Sequence, residues 1–291
     1  MSPAPVIRRR LAYLGTPAMA VPPLQALVAA GHDVAMVITR VDKRRGRGSE
    51  LSPSPVKAAA LQLGLPVSHS VDDVLGLEIE LGVVVAFGQL IKPHVLSEVP
   101  MVNLHFSLLP RWRGAAPVER ALLAGDTETG VCLMELEEGL DTGPVYDTVR
   151  VPIRPAATAD DLRSELVAVG TDQLVRCLAA PLPAPVPQVG EPVYASKIRA
   201  EELRIDWSQP AEQIDRLVRL GGAWTTFRGK RVKVHAAELA FVPADGGDAA
   251  LPLQQPVPGL RLVTVQPEGK GPMAFADFAR GARPEPVETF E

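Results

Sequence analysis

The stretch at 101–117, MVNLHFSLLPRWRGAAP, carries the side chains best suited to chemistry. It opens as a short apolar run, and then Asn103 and His105 interrupt it where a core strand would keep apolar residues. Two residues apart on a strand, they point to the same side. A third polar residue, Asp141, stands in Gly139-Leu140-Asp141-Thr142-Gly143, between glycines that let the backbone turn sharply. An Asn, a His and an Asp, with no Cys or reactive Ser beside them, suggest a reaction without a covalent intermediate. They suit one that develops an oxyanion. The amide and the imidazole can donate to that charge, and the carboxylate can set the imidazole's protonation and help to move a proton. Taken singly, each residue also fits a structural role: Asn103 and His105 capping a strand end, Asp141 closing an Asx-turn.

These residues need a scaffold that brings strand ends together. Residues 11–14 read as a strand, 21–30 as a helix closed by Gly31, and 34–39 as a second strand. Strand, helix, strand calls for a parallel sheet with right-handed crossovers. The turn between the first two is LGTP, not GxGxxG, so it argues only weakly for a dinucleotide. A helix is expected over 55–63, a short strand over 66–68 and a helix broken by Gly76 over 72–81. Residues 83–86 form a β-branched run of the kind buried on both faces of a parallel sheet. The strand starting at 101 leaves the sheet at Pro110, and 115–125 reads as a helix. Its polar pair therefore lies where open α/β sheets bind ligands. Strands over 130–136 and 145–151 flank the Asp141 loop. A long helix over 158–178 follows, with Thr158 as N-cap and Asp160 and Asp161 in its first turn.

Prolines at 181, 183, 185 and 187 make a stiff extended connector. It divides the chain into a first domain at 1–180, a linker at 181–200 and a second domain at 201–291. The second domain opens with a helix over 210–220. Short strands at 225–227, 231–239, 260–265 and 273–278 then suggest a small β-barrel.

Composition excludes several classes. Nearly half the 291 residues are hydrophobic (46%), yet no apolar run approaches a membrane span, so a globular, membrane-free protein is expected. Cys132 and Cys177 are the only cysteines, which excludes a disulfide framework or zinc spacing and points to a reducing compartment. No metal-ligand cluster is visible, and nothing near the N-terminus reads as a secretory signal. The net charge of −4 is too mild to decide for or against nucleic acid, so local charge matters more. RVDKRRGRGSELS at 40–52 is basic and glycine-containing. It is either a solvated surface loop or a loop that contacts phosphates. Arg228, Lys230, Arg231 and Lys233 make the first hairpin of the second domain basic as well.

Taken together, LGTP, the GRG loop, SPSPVK, VVVAFG, SLLPRWRGAAP, GLDTG and IDWS resemble the folate-dependent formyltransferases over nearly the whole chain. The resemblance implies a Rossmann-like parallel-sheet catalytic domain followed by an OB-like β-barrel domain. It implies 10-formyltetrahydrofolate as formyl donor, without a metal. In the branch of the family matched best, the acceptor is the α-amino group of methionine on initiator methionyl-tRNA. By position, the family's catalytic residues fall on Asn103, His105 and Asp141, and its folate-contacting segment on Ser107, Leu108, Leu109 and Pro110. Its tRNA-inserting loop falls on 41–51, with Arg44, Arg45 and Arg47. Arg228 and Lys230 extend the expected tRNA surface. A cytoplasmic monomer is the expected setting. Two departures stand out: Leu220-Gly221-Gly222-Ala223, before Trp224, is shorter than the family pattern, and so is the region at 71–81.

Overall fold

A computed structural model of the chain describes residues 7–44, 51–239, 253, 256–285 and 288–291. The described residues fall into two compact units, the first drawn from 1–118, 128–152 and 162–196, the second from 119–127, 153–161 and 197–291. No helix among them is long and apolar enough to cross a membrane.

The first unit contains strands β1 (Arg10–Gly15), β2 (Asp33–Ile38), β3 (Lys43–Arg44), β4 (Leu51–Ser52), β5 (Val67–Ser68), β6 (Leu81–Val85), β7 (Met101–His105), β8 (Arg113–Gly114), β9 (Glu128–Glu135), β10 (Val145–Pro152) and β11 (Tyr194–Ala195). Its helices are α1 (Val21–Ala29), α2 (Pro55–Gln62) and α3 (Pro93–Leu96). It also holds the start of α4 (Pro117–Ala124) and all but the first turn of α5 (Ala159–Leu178). Seven strands form one sheet in the order β10-β9-β7-β6-β1-β2-β5. From β5 to β7 the strands are parallel, while β9 pairs antiparallel with β7 and β10 antiparallel with β9. The strand order reverses between β1 and β6, which is where a doubly wound sheet opens a crevice at its carboxyl ends. Every residue of β6 is buried, as its β-branched run requires. α2 starts where it does because Ser54 caps it, accepting from the Lys57 N–H at 3.0 Å, with Pro55 preset for the first turn. In α5, Thr158 and Asp161 cap each other reciprocally.

One expectation for this unit needs correction, and one strand pair has no counterpart in the sequence reading. Residues 72–81 form no α-helix: a 3₁₀ turn over Val71–Val74 is followed by left-handed backbone at Gly76 and Glu78, which stops helix propagation. The short strands β8 and β11 have no periodicity to betray them. They pair in parallel, Arg113 with Tyr194 and Gly114 with Ala195.

The second unit contains α6 (Ala211–Leu220), β12 (Trp224–Phe227), β13 (Lys230–Leu239), β14 (Leu260–Pro267), β15 (Met273–Ala274) and α7 (Phe275–Ala282). Its strands form an antiparallel sheet in sequence order. The outer edge of β12 is occupied by Glu291, which exchanges two backbone hydrogen bonds with Thr226, and by Ile205, which donates to the Trp224 carbonyl. Ile214 and Val218, one helical turn apart on α6, reach a core containing Phe227, Val232, Leu260, Leu262, Val265, Phe275, Phe278 and Phe290. Trp207 stacks on Phe290 with ring centroids 5.3 Å apart. The strand expected over 273–278 ends at Ala274. Phe275 and Phe278 bury together at an i,i+3 spacing that only a helix provides, so the chain turns helical there.

Candidate active site

β7 delivers the first two polar residues of the site. It pairs with β6 through Val84 and Asn103, and with β9 through His105 and Cys132. Asn103 is half-buried and His105 is 5% exposed, so neither is an incidental surface group. Asp141 comes from the loop between β9 and β10. The glycines around it serve close approach more than turning. A Cβ on Gly143 would sit 2.0 Å from the Glu135 carbonyl oxygen, and one on Gly139 2.3 Å from Thr142 Oγ1. The left-handed residue of the loop is Asp141 itself, with φ at 50°. Asp tolerates that conformation better than most residues, because its short polar side chain can bond locally.

The three groups meet around the Asp141 carboxylate. Asn103 Nδ2 donates to Asp141 Oδ1 at 3.4 Å, and His105 Nδ1 lies 3.6 Å from Oδ2. The firmest contact to the carboxylate is a backbone one: the Gly114 N–H donates to Oδ2 at 2.7 Å. His105 Nε2 is 2.9 Å from the Trp112 carbonyl oxygen. A carbonyl only accepts, so Nε2 carries a hydrogen, and Nδ1 is the nitrogen turned to Asp141. The expected cluster is therefore assembled, with one refinement: Asp141 is oriented by backbone, and its contacts to Asn103 and His105 are long enough to be exchanged for others.

Two further features of the loop after β7 bear on the expected sites. Ser107 is fully buried, and its hydroxyl donates to the Arg111 carbonyl at 2.6 Å. Its side chain closes the turn. Leu108, Leu109 and Pro110 are half-buried, with Leu108 packed against Gly130 of β9. The Arg111 guanidinium lies 4.4 Å from the Trp112 ring centroid.

The basic loop is described only at its base. Lys43 pairs with Ser52 and Arg44 with Leu51, and an Asp42–Lys57 ion pair at 2.7 Å fastens the entry to α2. Arg45 and Arg47 lie outside the described residues. In the second unit, Lys230 is exposed at the start of β13. Arg228 is otherwise engaged: Nε and Nη2 both donate to Glu288, and Nη1 to the Ala282 carbonyl. Its guanidinium thus ties the hairpin to Glu288 and the end of α7. Glu288 in turn is held down at about 2 by that arginine.

Sequence reasoning missed the groups that fix the cluster. The Gly114 N–H and the Trp112 carbonyl are backbone atoms, which residue identity does not reveal. Gln188, in the connector, donates to the carbonyls of Asp141 and Gly143, both at 2.8 Å. A lone Gln among prolines gives no motif. Among the described residues no group of three His, Cys, Asp or Glu side chains is placed to hold a metal ion.

Residues 9–178 match the model of the formyl transferase family, and 197–283 that of the formyl transferase C-terminal domain. The methionyl-tRNA formyltransferase of Roseobacter denitrificans is 44% identical over 303 aligned residues, covering 97% of this chain and 99% of that one. Among solved structures, HypX from Aquifex aeolicus in complex with tetrahydrofolic acid superposes with a TM-score of 0.63 at 17% identity. That match covers 94% of this chain and 47% of HypX. Methionyl-tRNA formyltransferase from Clostridium thermocellum gives 0.60 at 15% identity, over 80% of this chain and 94% of that one. At such identities the two structures speak for the fold alone.

Proposed function

The chain belongs to the formyl transferase family, and we propose that it moves the formyl group of 10-formyltetrahydrofolate to the α-amino group of methionine on initiator methionyl-tRNA. The observation that carries this reading is the end-to-end match to a methionyl-tRNA formyltransferase, in a chain whose Asn103, His105 and Asp141 meet at one sheet end. We place the enzyme in the cytoplasm, acting as a monomer.

The geometry suggests how the residues divide the work. The acceptor's neutral amine adds to the formyl carbon, and negative charge gathers on the former carbonyl oxygen. The Asn103 amide, held to Asp141 only at 3.4 Å, is free to turn one N–H toward that oxygen. His105 Nδ1 serves as the second donor when the ring carries both protons, since Nε2 stays on the Trp112 carbonyl. Asp141, directly or through a water, takes the proton leaving the amine and delivers it to the departing folate nitrogen. Contacts of 3.4 and 3.6 Å leave both groups room to tighten on the developing charge. Leu108, Leu109 and Pro110 give the folate ring system an apolar surface, while Ser107 holds their turn in shape. Arg44, Arg45 and Arg47 in the loop at 41–51, with Lys230, supply the tRNA contacts, and Arg228 contributes through the shape of its hairpin.

The test is an acceptor panel. The purified chain is incubated with 10-formyltetrahydrofolate and either charged initiator tRNA, glycinamide ribonucleotide or no acceptor. Formyl-methionine on tRNA is the expected product. Formylated glycinamide ribonucleotide, or formate released without an acceptor, as the main product would replace this reading.

A further inference from the structure

Gln188 stands in a stretch that the sequence marks only as a stiff connector, and formyl transfer as described above makes no use of it. Its carboxamide is nevertheless fully employed. Both N–H groups are taken, one by the Asp141 carbonyl and one by the Gly143 carbonyl, at 2.8 Å each. Its oxygen accepts from Arg113, at 3.1 Å from Nε and 2.7 Å from Nη2. Gln188 is half-buried while Pro187 and Val189 on either side are exposed, so its side chain is the one turned inward.

We propose that Gln188 is a positioning residue for formyl transfer, which sets the Asp141 carboxylate by tying the 141–143 backbone to Arg113. The inference rests on the reading of Asp141 as catalytic. Two segments decide where that carboxylate sits. One is its own loop, where β9 has ended and β10 has not begun, so the 141 and 143 carbonyls have no ladder partner. The other is 113–114, whose Gly114 N–H grips Oδ2 at 2.7 Å. Gln188 holds both at once. It is itself well placed to do so. Val186 exchanges two backbone hydrogen bonds with Val145, both at 2.8 Å, just before it. After it, Val193 donates to the Pro110 carbonyl and accepts from the Arg113 N–H. Pro185 and Pro187 preset the extended backbone between these anchors, which lowers the entropy lost in holding it. The left-handed φ of Asp141 is the kind of conformation that persists only where its surroundings determine it.

The experiment is a double-mutant cycle in the full-length chain. Gln188→Ala should lower kcat on the order of 10- to 100-fold, as a small misplacement of a reacting group does, with KM for both substrates little changed. In an Asp141→Asn background the same substitution should cost less than about twofold, because the group it positions is already lost. If Gln188→Ala does not fold, Gln188→Glu carries the same cycle: it keeps the size and the Arg113 partner but has no N–H for the two carbonyls. Wild-type kcat in the variant that folds would overturn the proposal. So would an equal fold-loss in both backgrounds, since Gln188 would then act elsewhere. Full activity in Asp141→Asn alone would remove the catalytic reading of Asp141, and the positioning role with it, and is told apart from the other results by that single variant.

Discussion

In the first unit, the polar side chains around Asp141 find their partners mainly on the backbone: His105 on the Trp112 carbonyl, Ser107 on Arg111, Gln188 on Asp141 and Gly143. In the second unit the polar contacts are mostly between side chains and near the surface, as in Arg120–Glu202, Arg228–Glu288 and Arg261–Glu238. Its order comes instead from an aromatic cluster beneath them. The difference separates two jobs. Side-chain-to-backbone bonds fix angles and distances, which a reaction needs. Exposed ion pairs contribute little to stability, and buried rings contribute much. Substitutions in the first cluster should therefore change rate more than stability, and substitutions in the second the reverse.

The strongest attack on this contrast is Phe275→Ala. Phe275 is 2% exposed and packs against Phe278 and Phe290. Its loss should destabilise the chain by about 3–5 kcal/mol in urea unfolding. A loss below about 1 kcal/mol, within the range of ordinary surface changes, would mean that the second unit does not depend on its rings. The reciprocal variant is Asn103→Ala, which removes a donor to the developing oxyanion. Turnover should fall ~10²–10³-fold with an unchanged thermal transition. A matching fall in Tm would show that Asn103 stabilises the sheet end instead.

Arg47→Ala sharpens the contrast by testing a contact to the other substrate. It should weaken tRNA binding by about 1–3 kcal/mol if a base edge is lost, and flatten the salt dependence if a phosphate contact is lost. Folate affinity should stay the same. Equal tRNA affinities over a salt series would leave the loop at 41–51 as surface. The smallest effect is expected for Glu202. The Arg120 guanidinium and the Arg199 N–H hold its carboxyl at about 2, below its ordinary value of 4.5. The stabilisation is thus complete above pH 4.5 and fades as the pH falls toward 2, where the folded form also protonates. Glu202→Gln should flatten the acid limb of a stability profile in that window and change little at neutral pH. An unaltered acid limb would show that this pair does not contribute.

Much of this molecule was legible from residue types. The β-branched run at 83–86 announced a buried strand, which the fold places at Leu81–Val85 with Ala86 half-buried just beyond it, and Asn103 and His105 announced themselves by breaking an apolar run. Asp141 was visible through its glycines, although the structural reason for them is close approach to Glu135 and Thr142. What stayed hidden had no side-chain signature. The Gly114 N–H and Trp112 carbonyl are common to every residue type, and β8 and β11 are too short for periodicity. At 275–278 the alternation of apolar and small residues fitted a strand as well as a helix, and burial of Phe275 with Phe278 decided for the helix. Proline spacing marked out an extended connector, but not that Gln188 turns inward from it.

The central claim is that the Asp141 cluster performs the chemistry and is dispensable for folding. Asp141→Asn tests it most directly, since it keeps the shape of the side chain and removes its charge. The account predicts that formylation of methionyl-tRNA falls ~10²-fold or more while the thermal unfolding transition stays where it was. Near-normal turnover, or loss of the folded state along with turnover, would contradict it.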